Sequence, residues 1–170
     1  DLPGLLLDIA TAFDSLKKYQ QAKSLYEQIA QDYPENLYAD QAKIDALKTN
    51  AFLLIDTGDY TAAQAVIDRL KAAFANHPSL PSTLSSIATM YERRIKYEEA
   101  RAIYQEILQN HTDDQWSDIT KLGLAKINVL FMIQSADDPN DLAAIESLMA
   151  DFHGRPALPA ALYQIASTYE

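Results

Sequence analysis

The chain writes one stretch three times at a fixed interval, and that repetition restricts its fold more than any other feature. Leu2 to Asp14 reads LPGLLLDIATAFD, Leu80 to Glu92 reads LPSTLSSIATMYE, and Leu158 to Glu170 reads LPAALYQIASTYE, each copy 78 residues after the last. Residues 1–92 lie over residues 79–170 without a gap, and agreement continues past the opening motif. KYQQAKSLYEQIAQ, from Lys18, falls on KYEEARAIYQEILQ, from Lys96, and Lys48, Asn50, Ile67, Leu70 and Phe74 recur as Lys126, Asn128, Ile145, Leu148 and Phe152. A chain with such a period is an array of like units stacked on their neighbours.

Within the period the apolar residues fall at helical spacing. Leu6, Ile9, Ala10 and Phe13 form one face, and Ala22, Leu25, Tyr26 and Ile29 form another, each too narrow to make a core alone. Turn signals separate the faces. Lys17 and Lys18 close one helix, Tyr33-Pro34 ends the next, and Thr57-Gly58-Asp59 supplies a left-handed C-cap followed by an N-cap. Pro3, Pro81 and Pro159 stand in first turns, where a missing N–H is harmless. The spacing predicts nine helices: 3–16, 19–32, 37–57, 60–76, 81–94, 97–110, 117–134, 141–152 and 159 onward. With only 4 glycines and 7 prolines the chain reads as all-α. Short turns make consecutive helices antiparallel, and hairpins with one open apolar face must stack on the next. Double-repeat units at 2–79 and 80–157 follow, with 158–170 opening a third. The chain opens at Asp1 and closes inside that third copy, which predicts a fragment of a longer protein.

Composition and motifs exclude several chemistries. A net charge of −10 with 14 scattered Lys and Arg argues against a nucleic-acid surface. No apolar run reaches the roughly 18 residues of a transmembrane helix. Cysteine is absent, which removes disulfides and thiolate chemistry. The four glycines stand alone, so no phosphate-cradling loop and no nucleotide cofactor is predicted. His77, His111 and His153 lie near ends of second helices without metal-ligand spacing and read as solvated groups satisfying carbonyls. Asp113-Asp114 and Asp137-Asp138 fall in turns, where capping explains them better than a catalytic carboxylate pair. Neither a catalytic group nor a metal site is assigned.

Leu6, Ile9, Ala10, Phe13, Ala22, Tyr26 and Pro34 follow the large, large, small, aromatic, small, aromatic, proline signature of the tetratricopeptide repeat, which the chain resembles. Leu84, Ile87, Ala88, Tyr91, Ala100 and Tyr104 match again, and Leu47, Ala51, Leu54, Ala63 and Ile67 form a weaker phase. Departures are a spacing of starts that alternates by about 41 and 37 residues instead of 34, Ala at the small position, Thr112 in place of proline, and a degenerate fourth repeat around Asp137-Asp138-Pro139-Asn140. The resemblance implies a right-handed superhelix of about four helix pairs plus one helix, acting as a protein-interaction scaffold rather than an enzyme. Ala22, Tyr26, Ile29, Tyr33 and Pro34, followed by Ala39 and Ala42, resemble repeats of bacterial envelope proteins. That points to the periplasm or cell envelope, with a structural or targeting module of a longer envelope enzyme or assembly factor as the alternative function.

In that family the first helix of each pair lines the concave face. Carried onto this chain, the groove holds Thr11, Asp14, Lys48, Phe52 and Ile55, then Ser85, Thr89, Glu92, Lys126, Leu130 and Ile133, and last Tyr163 and Ser167. Alternating lysine, aromatic and hydroxyl groups suit a peptide or helix of a partner. Ala51 to Ile55 and Val129 to Ile133 are apolar through more than a helical turn, so every side there needs cover, from neighbouring repeats or from a partner. Leu162, Ile165 and Tyr169 lack a following helix, which predicts an uncovered apolar end and self-association.

Overall fold

A computed structural model describes residues 2–111, 114–134 and 141–168. Its elements among those residues are α1 (Leu2–Ser15), α2 (Tyr19–Asp32), α3 (Ala39–Thr57), α4 (Tyr60–Phe74), α5 (Leu80–Arg93), α6 (Tyr97–Asn110), α7 (Asp114–Gln134), α8 (Asp141–Asp151) and α9 (Leu158–Ala166). No strand occurs among the described residues, and the fold is an all-α helical repeat. Eight helices end within two residues of the sequence expectation; α9 stops at Ala166 and gives way to a turn at Ser167. Thr112, Asp113, the stretch 137–140 and Tyr169 lie outside the described residues.

The turns follow the signals in the sequence. Gly58 takes φ 83° and its N–H reaches the Ile55 and Leu54 carbonyls, while the Asp59 carboxylate accepts from Ala62 N at 3.0 Å and caps α4. That arrangement satisfies groups a helix end otherwise leaves open. The α1–α2 and α5–α6 turns reach the same geometry without glycine. Lys17 and Ile95, 78 positions apart, stand at φ 57° and 58°. The residue after each sends its N–H back to the carbonyl of Phe13 or Tyr91, at 2.9 and 3.0 Å. The Lys18 ammonium also lies 5.8 Å from the centroid of the Phe13 ring, so this lysine covers an aromatic face besides closing a helix.

Two compact units divide between Thr83 and Leu84. In unit 1, residues 1–83, α1 packs on α2, α2 on α3 and α3 on α4. Ala10, Ala22 and Ala46 let the first three helices approach closely, and Tyr26 fills the space left between them, with Leu7, Phe13 and Leu25 at its margin. The central helix α3 has buried residues on every side, from Ala42 and Ile44 to Ala51 and Ile55. In unit 2, residues 84–170, α6 packs on α7, and α7 carries both α8 and α9. Ala88, Ala100 and Tyr104 are buried there as Ala10, Ala22 and Tyr26 are in unit 1.

Candidate functional site

In unit 1 the first-helix residues form a polar chain. Thr11 Oγ1 lies 3.2 Å from the Tyr26 hydroxyl. The Asp14 carboxylate accepts from Thr49 Oγ1 at 3.2 Å and meets the Lys48 ammonium at 3.5 Å. Lys48 also donates to Asp45 at 2.8 Å, Gln41 donates to the other Asp45 oxygen at 2.9 Å, and Ser79 Oγ donates to Gln41 at 3.0 Å. Burial alone would depress the Lys48 ammonium's pKa, but Asp45 and then Asp14 outweigh it and hold the charge above its ordinary range. Phe52 lies edge-on to Tyr19, ring centroids 5.7 Å apart, and is half-buried.

Unit 2 repeats the arrangement with changed reach. Thr89 Oγ1 lies 3.5 Å from the Tyr104 hydroxyl, and that hydroxyl donates to Glu92 Oε1 at 2.7 Å. Glu92 Oε2 takes the Lys126 ammonium, which donates further to Gln164 at 2.7 Å. Burial, followed by the adjacent Glu92 charge, pushes the Tyr104 hydroxyl far above the ordinary phenol range. Gly123 stands where unit 1 has Asp45, because a Cβ there would come within 2.9 Å of the Tyr104 ring.

The residues expected in the groove therefore separate into two kinds. Thr11, Tyr163 and Ser167 are exposed, and Asp14, Lys48, Phe52, Ser85, Thr89 and Ile133 are half-buried. Ile55 and Leu130 are core residues, at 0% and 5% exposure, and Glu92 and Lys126 are buried against each other. Those four lie inside the wall rather than on its surface, a correction with two causes: the chain's own helices cover the apolar Ile55 and Leu130, and Glu92 and Lys126 close on each other. The uncovered end expected at Leu162 and Ile165 is also smaller than the sequence implies, since Ile165 packs inside and Leu162 is half-buried.

Sequence reasoning missed Tyr26, Tyr104, Asp45 and Gln164 as polar partners. The tyrosines were visible as recurring core aromatics, but nothing in the spacing showed where their hydroxyls would turn. Asp45 and Gln164 have no like residue in the other copy and gave no signal. Asn50 and Asn128, which do recur, make no side-chain hydrogen bond among the described residues. His77 accepts the Ser79 N–H through Nδ1 at 3.2 Å instead of satisfying a carbonyl. Among the described residues no three His, Asp or Glu side chains gather to hold a metal, and no helix is long and apolar enough to cross a membrane.

These features define a helical-repeat module whose units are helix pairs joined by tight turns. Residues 15–85 match the family model for the tetratricopeptide repeat, and the all-α helical repeat seen among the described residues fits a protein of that kind. Repeats of this family generally mediate protein–protein interaction and are typically non-catalytic. No curated protein matches the chain.

Proposed function

We propose that the first-helix face of each unit receives a segment of a partner protein, on surfaces formed by Thr11, Asp14, Lys48 and Phe52 in unit 1 and by Ser85, Thr89, Ile133, Tyr163 and Ser167 in unit 2. The double repeats 2–79 and 80–157, with 158–170 beginning another, are the elements that set this pattern. The observation that carries the reading is the recurrence of Thr11, Asp14 and Lys48 as Thr89, Glu92 and Lys126, tied by the same kinds of bond in both units. A fixed frame of hydroxyls and closed ion pairs leaves Phe52, Ile133 and Tyr163 as apolar and aromatic groups at its surface, and Tyr163 is 77% exposed. Aromatic anchors set among satisfied polar groups are the usual composition of a protein-binding face.

Site-directed photocrosslinking in the native host tests this. A photoreactive phenylalanine at Thr11, Ser85 or Tyr163 should capture one and the same protein, and probes at Gln64 and Glu98 on second helices should not. Equal capture from both sets, or capture from neither, overturns the assignment.

A further inference from the structure

Unit 1 holds a cavity of about 640 Å³ that the first-helix face does not use. Its walls are α2 and α4 and its floor is α3, where Ala46, Leu47 and Asn50 point away from the side carrying Lys48 and Phe52. Ala30 and Phe74 complete an apolar lining, and Lys23, Lys43 and Arg69 stand around it with a single carboxylate, Glu27. In a chain of net charge −10 this is a local basic patch.

Its cations are lightly engaged. Lys23 meets Glu27 at 3.7 Å, a surface pair of small worth, and Arg69 forms no ion pair among the described residues. Lys43 donates to Asp40 at 2.9 Å and depresses that carboxyl's pKa, so Asp40 is the counter-charge just outside the rim. The half-buried Asn50 has no side-chain hydrogen bond among the described residues and can serve a bound main chain.

The internal repeat does not keep the lining of this cavity. At the positions 78 residues on, Ala30 and Ala46 become Leu108 and Leu124 while Leu47 becomes Ala125, which places one more leucine in the equivalent groove. The rim changes as well: Arg69 becomes Ser147 and Ala73 becomes Asp151. The small pair Ala30 and Ala46 and the extra cation Arg69 thus belong to unit 1 alone, and they are what a ligand would select.

We infer that this cavity between α2, α3 and α4 is a second docking site, taking an acidic segment of a partner protein that inserts an apolar side chain between Ala30, Ala46 and Phe74 and sets its carboxylates on Lys23, Lys43 and Arg69. Charge complementarity and the apolar floor together fix the chemistry: a purely anionic ligand would leave the floor dry and unfilled, and a purely apolar one would bury the rim cations without partners. The site is independent of the first-helix face, because α3 presents the two sets of residues on opposite sides.

Fluorescence anisotropy on the full chain tests it, with a fluorescein-labelled peptide of sequence Glu-Glu-Leu-Phe-Glu-Glu-Leu-Glu, the same peptide with lysine for glutamate, and dodecanoate as probes. The acidic peptide should bind and the basic one should not, and added salt should weaken the complex. Lys23→Glu/Arg69→Glu, which changes exposed or half-buried charges, and Ala30→Leu/Ala46→Leu, which copies the second repeat, should each weaken binding by about tenfold or more. Tyr163→Glu should leave it unchanged, which separates this site from the first-helix face. Helical circular dichroism reports whether each variant folds, and the charge variant decides if the leucine variant does not. Absence of acidic-peptide binding, equal binding of the two peptides, unchanged affinity in the charge variant, or binding of dodecanoate without the peptide overturns the inference.

Discussion

Glu92 and Lys126 close a buried ion pair 34 positions apart, at the places that Asp14 and Lys48 hold 78 residues earlier. The two pairs solve one problem with different reach. Glutamate extends far enough to accept from Tyr104 with its second oxygen, and the side chains of the pair are 6% and 10% exposed. Aspartate is shorter, accepts from Thr49 instead, and leaves its pair 13% and 18% exposed, with Asp45 added as a second acceptor for Lys48. The repeat thus preserves a charge position while its neighbours adjust burial around it.

Breaking the deeper pair should cost more. Lys126→Met leaves the Glu92 carboxylate buried with only the Tyr104 hydroxyl, and loss of one partner of a buried pair costs about 3–5 kcal/mol. Lys48→Met should cost less, since Asp14 keeps Thr49 and sits nearer to water. Urea denaturation of both variants, compared at equal m-value, checks the order. The double variant Glu92→Leu/Lys126→Met should recover most of the loss, as apolar replacement of a buried pair commonly does.

Ile95 is the costliest residue in the turns. A left-handed backbone costs an L-residue about 1–2 kcal/mol, and a β-branched side chain is the worst placed to bear it. Ile95 is also 60% exposed and so has little burial to lose. Ile95→Gly should raise stability by about 0.5–1 kcal/mol after the added freedom of the unfolded chain is counted. Lys17→Gly should act in the same direction by less. Thermal unfolding of the two variants measures both.

The helices, their turns and their likeness to the tetratricopeptide repeat were legible because they rest on local rules and on a period that sequence displays directly. Gly58 and Asp59 behave as their residue types dictate, and Ala10, Ala22 and Tyr26 reveal their packing through spacing. The site was only half legible. Lys48 and Lys126 announced themselves by recurrence, but whether a charged side chain meets water or a carboxylate depends on residues far along the chain. Gln164 reaching Lys126 is such a case. Ile55 and Leu130 look like groove residues by position, and only their packing shows that the chain covers them itself.

Gly123 carries a constraint that its sequence neighbours conceal. An added Cβ would lie 2.9–3.2 Å from three atoms of the Tyr104 ring, which is buried and held by Glu92. The ring cannot yield without stretching that bond, so Gly123→Ala should destabilise by about 1–3 kcal/mol despite the better helix propensity of alanine. Denaturant midpoints check this, and a gain in stability would contradict it.

Thr120 is fully buried and its hydroxyl has no hydrogen-bond partner among the described residues, while the equivalent position 78 residues earlier is Ala42. An unpaired buried hydroxyl costs about 1–3 kcal/mol. Thr120→Val keeps the shape and removes that cost, so it should stabilise the chain by about 1 kcal/mol. Thermal unfolding beside Thr120→Ser, which keeps the hydroxyl and loses a methyl group, separates the polar effect from packing.

The buried tyrosines and Lys48 make the fold sensitive to alkali. Burial, then the Glu92 charge, raises the Tyr104 hydroxyl above its ordinary value of 10.0, and burial does the same for Tyr26. Lys48 is raised too, since Asp45 and Asp14 outweigh its burial. All three groups hold their protons more tightly when folded than when unfolded. Stability from this source is therefore complete below about pH 10 and is lost as pH climbs through the raised folded values. The unfolding temperature should hold level up to that point and fall steeply above it. Tyr104→Phe should flatten part of the fall while lowering stability at neutral pH by about 1–3 kcal/mol, because Glu92 loses a buried donor. Phenolate absorbance supplies the check: a fraction of the 10 tyrosines should ionise only as helical signal disappears. Ionisation of every tyrosine near pH 10 with the helices intact would remove the basis for this prediction.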